Sequence, residues 1–97
     1  MNNINKSDIK KMLTLIAKTY GHEPLFEVWS RGKYDPSNKV AVYTITLDGD
    51  FMWRMNGELN GTNRYVAQDM FQNMLRENGM YYEPQYASVW NIYRTNN

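Results

Sequence analysis

Residues 40–47, VAVYTITL, constrain the fold more than any other stretch of the chain. Apart from Ala41 and Leu47, every residue in the run is β-branched or aromatic, the chemistry that fits a pleated, half-buried surface. Alternation places Ala41, Tyr43, Ile45 and Leu47 on one face, read as core, and Val40, Val42, Thr44 and Thr46 on the other. A strand with threonines on its second face belongs to an antiparallel sheet covered on one side only. Asp48-Gly49 supplies a tight hairpin turn, after which residues 51–55 return as the next strand. Upstream, residues 25–31 set Phe26 and Val28 against Leu25, Glu27 and Trp29, and the turn-rich DPSN of residues 35–38 separates the two strands.

Helices flank this meander. Ser7 is placed to cap a helix over residues 8–20, with Asp8 in its first turn and Gly21 as its stop. Ile9, Met12, Leu13, Ile16 and Tyr20 share its apolar face, while Lys10, Lys11, Thr14 and Lys18 gather on the opposite side. Asn60-Gly61 is a further turn, and Thr62 or Asn63 caps a second helix with apolar residues Val66, Met70, Phe71 and Met74, ending near Asn78-Gly79. The expected fold class is therefore α+β, in the order α-β-β-β-α. A three-stranded antiparallel sheet carries both helices on one face, and residues 80–97 form an aromatic extension to a core of residues 7–79. In that extension Tyr86, Val89, Trp90 and Tyr93 suit a short helix after Pro84, whereas Val89, Asn91 and Tyr93 also alternate as a strand would; the helix is the preferred reading.

Ninety-seven residues accommodate one domain, and 42% hydrophobic with 14% aromatic content supports a core without staples. With no cysteine, disulfides and thiolate metal sites are excluded. No signal-like or membrane-spanning run is present, so a cytoplasmic protein without membrane attachment is expected. The formal net charge of +1, from 11 basic and 10 acidic residues, makes any electrostatic footprint a matter of placement rather than excess.

Four places in this order resemble the double-stranded RNA-binding domain family. PLFEV at residues 24–28 is similar to the family's Pro-x-Tyr-Glu-Val, and DPSN at residues 35–38 to its Gly-Pro-x-His loop. YTITLDG at residues 43–49 is similar to its Phe-x-Val-x-Val-x-Gly strand, and GTNRYVAQDMF at residues 61–71 to the lysine-rich start of its second helix. The resemblance spans about residues 9–78. It implies recognition of A-form duplex shape, in which members of the family span about 16 base pairs through minor-groove hydroxyls and intervening phosphates. On this chain the family's adjacent helix-two lysines fall on Asn63 and Arg64 and its third on Ala67, so a single cation remains there. The loop histidine falls on Asn38, and the helix-one acceptor falls near Thr14.

The resemblance thus implies weak, shape-specific binding of double-stranded or structured RNA through Lys10, Lys11, Thr14, Lys18, Asn38, Lys39, Asn63 and Arg64. A different class of function is a protein-interaction module, forming a homodimer or capturing a partner through Tyr81, Tyr82, Tyr86, Trp90 and Tyr93, since tyrosine and tryptophan are enriched at interface anchors. Short, cysteine-free, Asn- and Tyr-rich domains of this kind occur among phage and mobile-element proteins that bind and block a host factor. Nothing points to an enzyme or a cofactor. The single histidine, His22, stands at a helix end; Asp48-Gly49-Asp50 lacks the later ligands of a calcium loop; and NGELNG has neither the spacing nor the lysine of a phosphate-cradling loop.

Overall fold

The computed structural model describes residues 4–57 and 65–95. Its first element, α1 (Lys6–Thr19), begins earlier than the Ser7 cap implies, because Asn5 and Asp8 form a reciprocal box. The N–H of Asp8 donates to Asn5 Oδ1 at 3.0 Å, and the N–H of Asn5 donates to Asp8 Oδ2 at 2.9 Å. The helix buries Ile9, Leu13, Ile16 and Ala17 along one stripe and ends ahead of Gly21, whose φ of +73° reverses the chain.

β1 (Phe26–Ser30) and β2 (Tyr43–Leu47) pair antiparallel with Val28 opposite Ile45. β2 is shorter than the 40–47 run. Asn38 Oδ1 accepts from the N–H groups of both Val40 and Ala41, at 3.1 and 3.0 Å, and this bends the chain ahead of β2 and leaves Val40 73% exposed. Within β2 the facing is as expected, with Ile45 and Leu47 in the core.

The expected third strand over residues 51–55 is instead a helix, α2 (Gly49–Met55). Asp48 acts as its N-cap, accepting the Gly49 N–H at 2.8 Å. Gly49 has a φ of +58°. A Cβ there would lie 2.7 Å from Leu25 Cδ1, so a side chain at this position meets both backbone strain and Leu25. Helical spacing brings Phe51 and Met55 together into the core and leaves Trp53 outside, which a strand could not do. α3 (Val66–Glu77) follows, with Ala67, Phe71 and Leu75 fully buried; Val66, Met70 and Met74 sit at the margin of that stripe. Its expected start at Thr62 or Asn63 lies outside the described residues.

The C-terminal residues depart furthest from expectation. They form a hairpin, β3 (Met80–Tyr86) and β4 (Val89–Arg94), rather than an appended helix, and β4 occupies the middle of a four-stranded antiparallel sheet of order β1-β2-β4-β3. Ile45 lies opposite Trp90, and Trp90 opposite Pro84. Pro84 is tolerated because β3 is an edge strand, where a missing N–H forfeits no pairing to a further neighbour. The order among the described residues is therefore α-β-β-α-α-β-β within an α+β fold, not α-β-β-β-α, and residues 80–95 are integral to the sheet. α1 packs on β1, α3 on β3, and the two helices touch each other over the sheet. Between them lies a core in which Trp90 stacks on Tyr82, with ring centroids 4.5 Å apart and planes 13° apart, and Phe71 sits 6.2 Å from Trp90. No helix among the described residues is long and apolar enough to cross a membrane.

Candidate functional site

The strand register sends every second side chain away from the helices, and these side chains build a second face, uncovered by any element among the described residues. Across its middle run Trp29, Thr44, Asn91 and Glu83; beside them run Glu27, Thr46, Val89 and Tyr86; at the far end Tyr93 opposes Tyr81. The centre of this face is polar but satisfied. Thr44 Oγ1 donates to Asn91 Oδ1 at 2.8 Å, and Asn91 Nδ2 donates to Gln85 Oε1 at 3.3 Å. Both Thr44 and Asn91 are buried, so this face is closed at its centre by its own larger side chains.

Those larger side chains are aromatic. Trp29 donates its indole N–H to Thr46 Oγ1 at 3.1 Å and meets Tyr34, folded back from the β1–β2 loop, at a centroid distance of 5.6 Å. Tyr81 and Tyr93 stack at 5.5 Å with planes 28° apart. Tyr34 remains 45% exposed and Tyr86 64% exposed. Five aromatic rings on one sheet face, with Thr44, Thr46 and Asn91 among them already hydrogen-bonded, make a preorganised contact surface of the composition found at interface anchors.

Charge on this surface is sorted by strand ends. The end where β1 starts and β2 finishes carries Glu27 and Asp48, with Glu23 in the loop before β1 and Asp50 in the first turn of α2; the opposite end carries Arg31, Lys33, Lys39 and Arg94, with Asp35 among them. The Ser37 hydroxyl and N–H, donating to Asp35, hold its carboxyl below the usual carboxylate range. Arg54, the cation that α2 brings towards the acidic end, is committed: its Nε donates to His22 Nε2 at 3.1 Å, and its guanidinium lies 4.8 Å from the centre of the Tyr20 ring. That bond requires an imidazole with Nε2 unprotonated, so His22 serves here as an acceptor holding α1 to α2.

The residues singled out from the sequence fall in separate places. Lys10, Lys11, Thr14 and Lys18 are exposed on the outer side of α1, on the far side of the molecule from the uncovered sheet face. Lys39 is exposed in the β1–β2 loop, but the amide oxygen of Asn38 is consumed by the turn. Asn63 and Arg64 lie outside the described residues. Ala67, where the third lysine of the resembled family falls, is buried on the inner side of α3. Of the five aromatics assigned to a partner surface, Tyr81, Tyr86 and Tyr93 lie on the uncovered face, whereas Trp90 is fully buried and Tyr82 is stacked against it. Those two are core residues, because positions 80, 82, 90 and 92 face the helices, whereas the register shift between Pro84 and Tyr86 turns Tyr86 to the other face. Burial, reinforced by the charge of Asp69, pushes the Tyr82 phenol up to about 12.

Trp29, Tyr34 and Glu27 join this face in addition to the residues the sequence points to. The alternation of residues 25–31 already set Trp29 with Glu27 and away from the core positions Phe26 and Val28, which was the available signal for two of them. Among the described residues no three His, Cys, Asp or Glu side chains converge as metal ligands. No family model matches the chain, and neither a curated protein nor a solved structure matches it.

Proposed function

We propose that this chain is a non-catalytic protein-interaction module whose recognition surface is the uncovered face of its sheet. The observation that carries this reading is the set of Trp29, Tyr34, Tyr81, Tyr86 and Tyr93 on one face above a hydrogen-bonded Thr44–Asn91 centre. Rings already held by stacking and by cross-strand neighbours lose little freedom on binding, which is where rotamer-rich surfaces lose affinity. The carboxylates Glu27 and Glu83 share the face and disfavour phosphate there, so a protein partner suits it better than a nucleic acid.

A second reading keeps RNA on the opposite side of the molecule. Lys10, Lys11 and Lys18, with Thr14 between them, stay exposed on α1 and remain open to phosphates, and Lys39 adds a cation from the loop. Losing the loop asparagine to the turn narrows that footprint to few contacts, and few contacts give a shallow salt dependence and weak affinity. One paired experiment separates the two readings. The wild type, a Tyr81→Ala/Tyr86→Ala variant and a Lys10→Glu/Lys11→Glu/Lys18→Glu variant are compared for partner capture by quantitative proteomics and for binding a 20-base-pair RNA duplex. The interaction reading expects the same partner with the wild type and the lysine variant, lost only with the tyrosine variant. Duplex binding that disappears only in the lysine variant, with no Tyr-dependent partner, would replace it with the RNA reading.

A further inference from the structure

The acidic end of the uncovered face is hollowed. A groove of about 530 Å³ lies there, with Leu25, Glu27, Tyr34, Thr46 and Asp48 among its walls. A second depression of about 300 Å³ shares Leu25 and is lined by Glu23, Asp50 and His22. Leu25 is thus a 40% exposed apolar ridge between two hollows, each bordered by two carboxylates. Its placement is fixed from beneath, since its Cδ1 rests on Gly49, where no Cβ intervenes.

The walls of the larger hollow are chemically specific. Tyr34 is tilted 58° against the Trp29 ring and lines the groove, while Trp29 is locked by its bond to Thr46. Among the described residues Glu27 meets no cation, and Asp48 uses one oxygen on the Gly49 N–H and leaves the other open. Arg54 is held by His22 and Tyr20 and neutralises neither of them. An aromatic ring beside unpaired carboxylates, with an aliphatic ridge alongside, is complementary to a planar cation on an apolar stem. A guanidinium satisfies all three at once, by stacking on the ring, by fork-like bonding to a carboxylate and by laying its methylenes on leucine.

From this complementarity we infer that the groove receives an arginine side chain from an extended basic segment of the protein partner, with a second basic residue reaching the hollow beyond Leu25. The inference rests on reading the uncovered face as a protein-binding surface, and it names the chemistry that surface selects. Because the attraction is between partly solvated charges, it weakens as salt rises.

The test uses the full chain, isotopically labelled, and two peptides: acetyl-Gly-Arg-Leu-Arg-Gly-amide and its counterpart with citrulline in place of both arginines. Citrulline keeps the shape and removes the charge. The arginine peptide is expected to shift the amides of Glu27, Tyr34, Thr46 and Asp48, with at least tenfold weaker binding by the citrulline peptide. A Glu27→Gln/Asp48→Asn variant keeps side-chain volume and the helix cap, and is expected to lose at least tenfold in affinity with an unchanged spectrum elsewhere. Equal binding of both peptides, unaltered binding by the variant, shifts confined to α1, or the same shifts produced by Ca²⁺ alone would overturn the inference. Failure here and failure of the wider reading are distinguishable. A partner lost with Tyr81→Ala/Tyr86→Ala but indifferent to the peptide would leave the face standing without the groove; peptide binding with no Tyr-dependent partner would leave the groove without the face.

Discussion

Trp90→Ala separates the two roles that the C-terminal aromatics could play. Trp90 is fully buried in the central strand, stacks on Tyr82 at 4.5 Å, lies 6.2 Å from Phe71 and donates its indole N–H to the Ala87 carbonyl at 3.2 Å. Truncating a buried Trp or Phe to alanine costs about 3–5 kcal/mol, and the loss of two ring contacts, each contributing about 0.5–1.5 kcal/mol beyond area, places this site in the upper part of that range. A domain of this kind has roughly 5–15 kcal/mol in total, so a loss of about 4 kcal/mol lowers the folded-to-unfolded ratio on the order of a thousandfold and leaves the variant marginal or unfolded. Tyr86→Ala, four positions earlier in sequence and 64% exposed on the other face, is expected to change stability by less than about 0.5 kcal/mol. Urea unfolding followed by far-UV circular dichroism measures both. A Trp90→Ala protein within about 1 kcal/mol of wild type would mean that the hairpin is peripheral and that the core has been assigned wrongly.

Two further outcomes follow from the same packing. The Tyr82 phenol is held up to about 12, against 10.0 unperturbed, so the native state keeps its proton after the unfolded chain has lost it. Its contribution to stability is therefore complete below pH 10 and is lost as the pH rises from 10 towards 12; absorbance titration at alkaline pH should show one late-ionising phenol that Tyr82→Phe removes. On the uncovered face, Asn91→Ala leaves the buried Thr44 hydroxyl without its 2.8 Å acceptor and should cost about 1–3 kcal/mol by urea titration, while pairing it with Thr44→Val should return part of that loss.

Much of this architecture is legible residue by residue, and its failures have physical causes. α1 reads out because Ile9, Leu13 and Ile16 repeat at helical spacing and Gly21 ends them, all within one local segment. The facing of β2 reads out because Ile45 and Leu47 alternate with Thr44 and Thr46. α2 does not, because Asp48-Gly49 satisfies a hairpin turn and an N-cap equally well, and Phe51 and Met55 lie on one side in either geometry. The last strand does not, because Trp90 and Tyr93 fit a helical stripe while Trp90 and Ile92 fit an alternating one; the choice is made by pairing with β2, a contact between residues 47 apart such as Thr44 with Asn91. Once β4 is central, the parity of the hairpin divides its aromatics, sending Trp90 and Tyr82 inward and Tyr81 and Tyr93 outward. Tyr34 carries no periodic signal at all, since a loop rather than a strand brings it to the surface.

The placement of β4 is thus the claim on which the uncovered face depends, and proton–proton contacts in solution test it directly. The account predicts cross-strand nuclear Overhauser effects linking Ile45 with Trp90 and Tyr43 with Ile92 on one side of β4, and Tyr82 with Ile92 on the other, where paired backbones lie within about 5.5 Å. Helical contacts between residues three apart along 84–93, with none between β2 and the C-terminal segment, would contradict it.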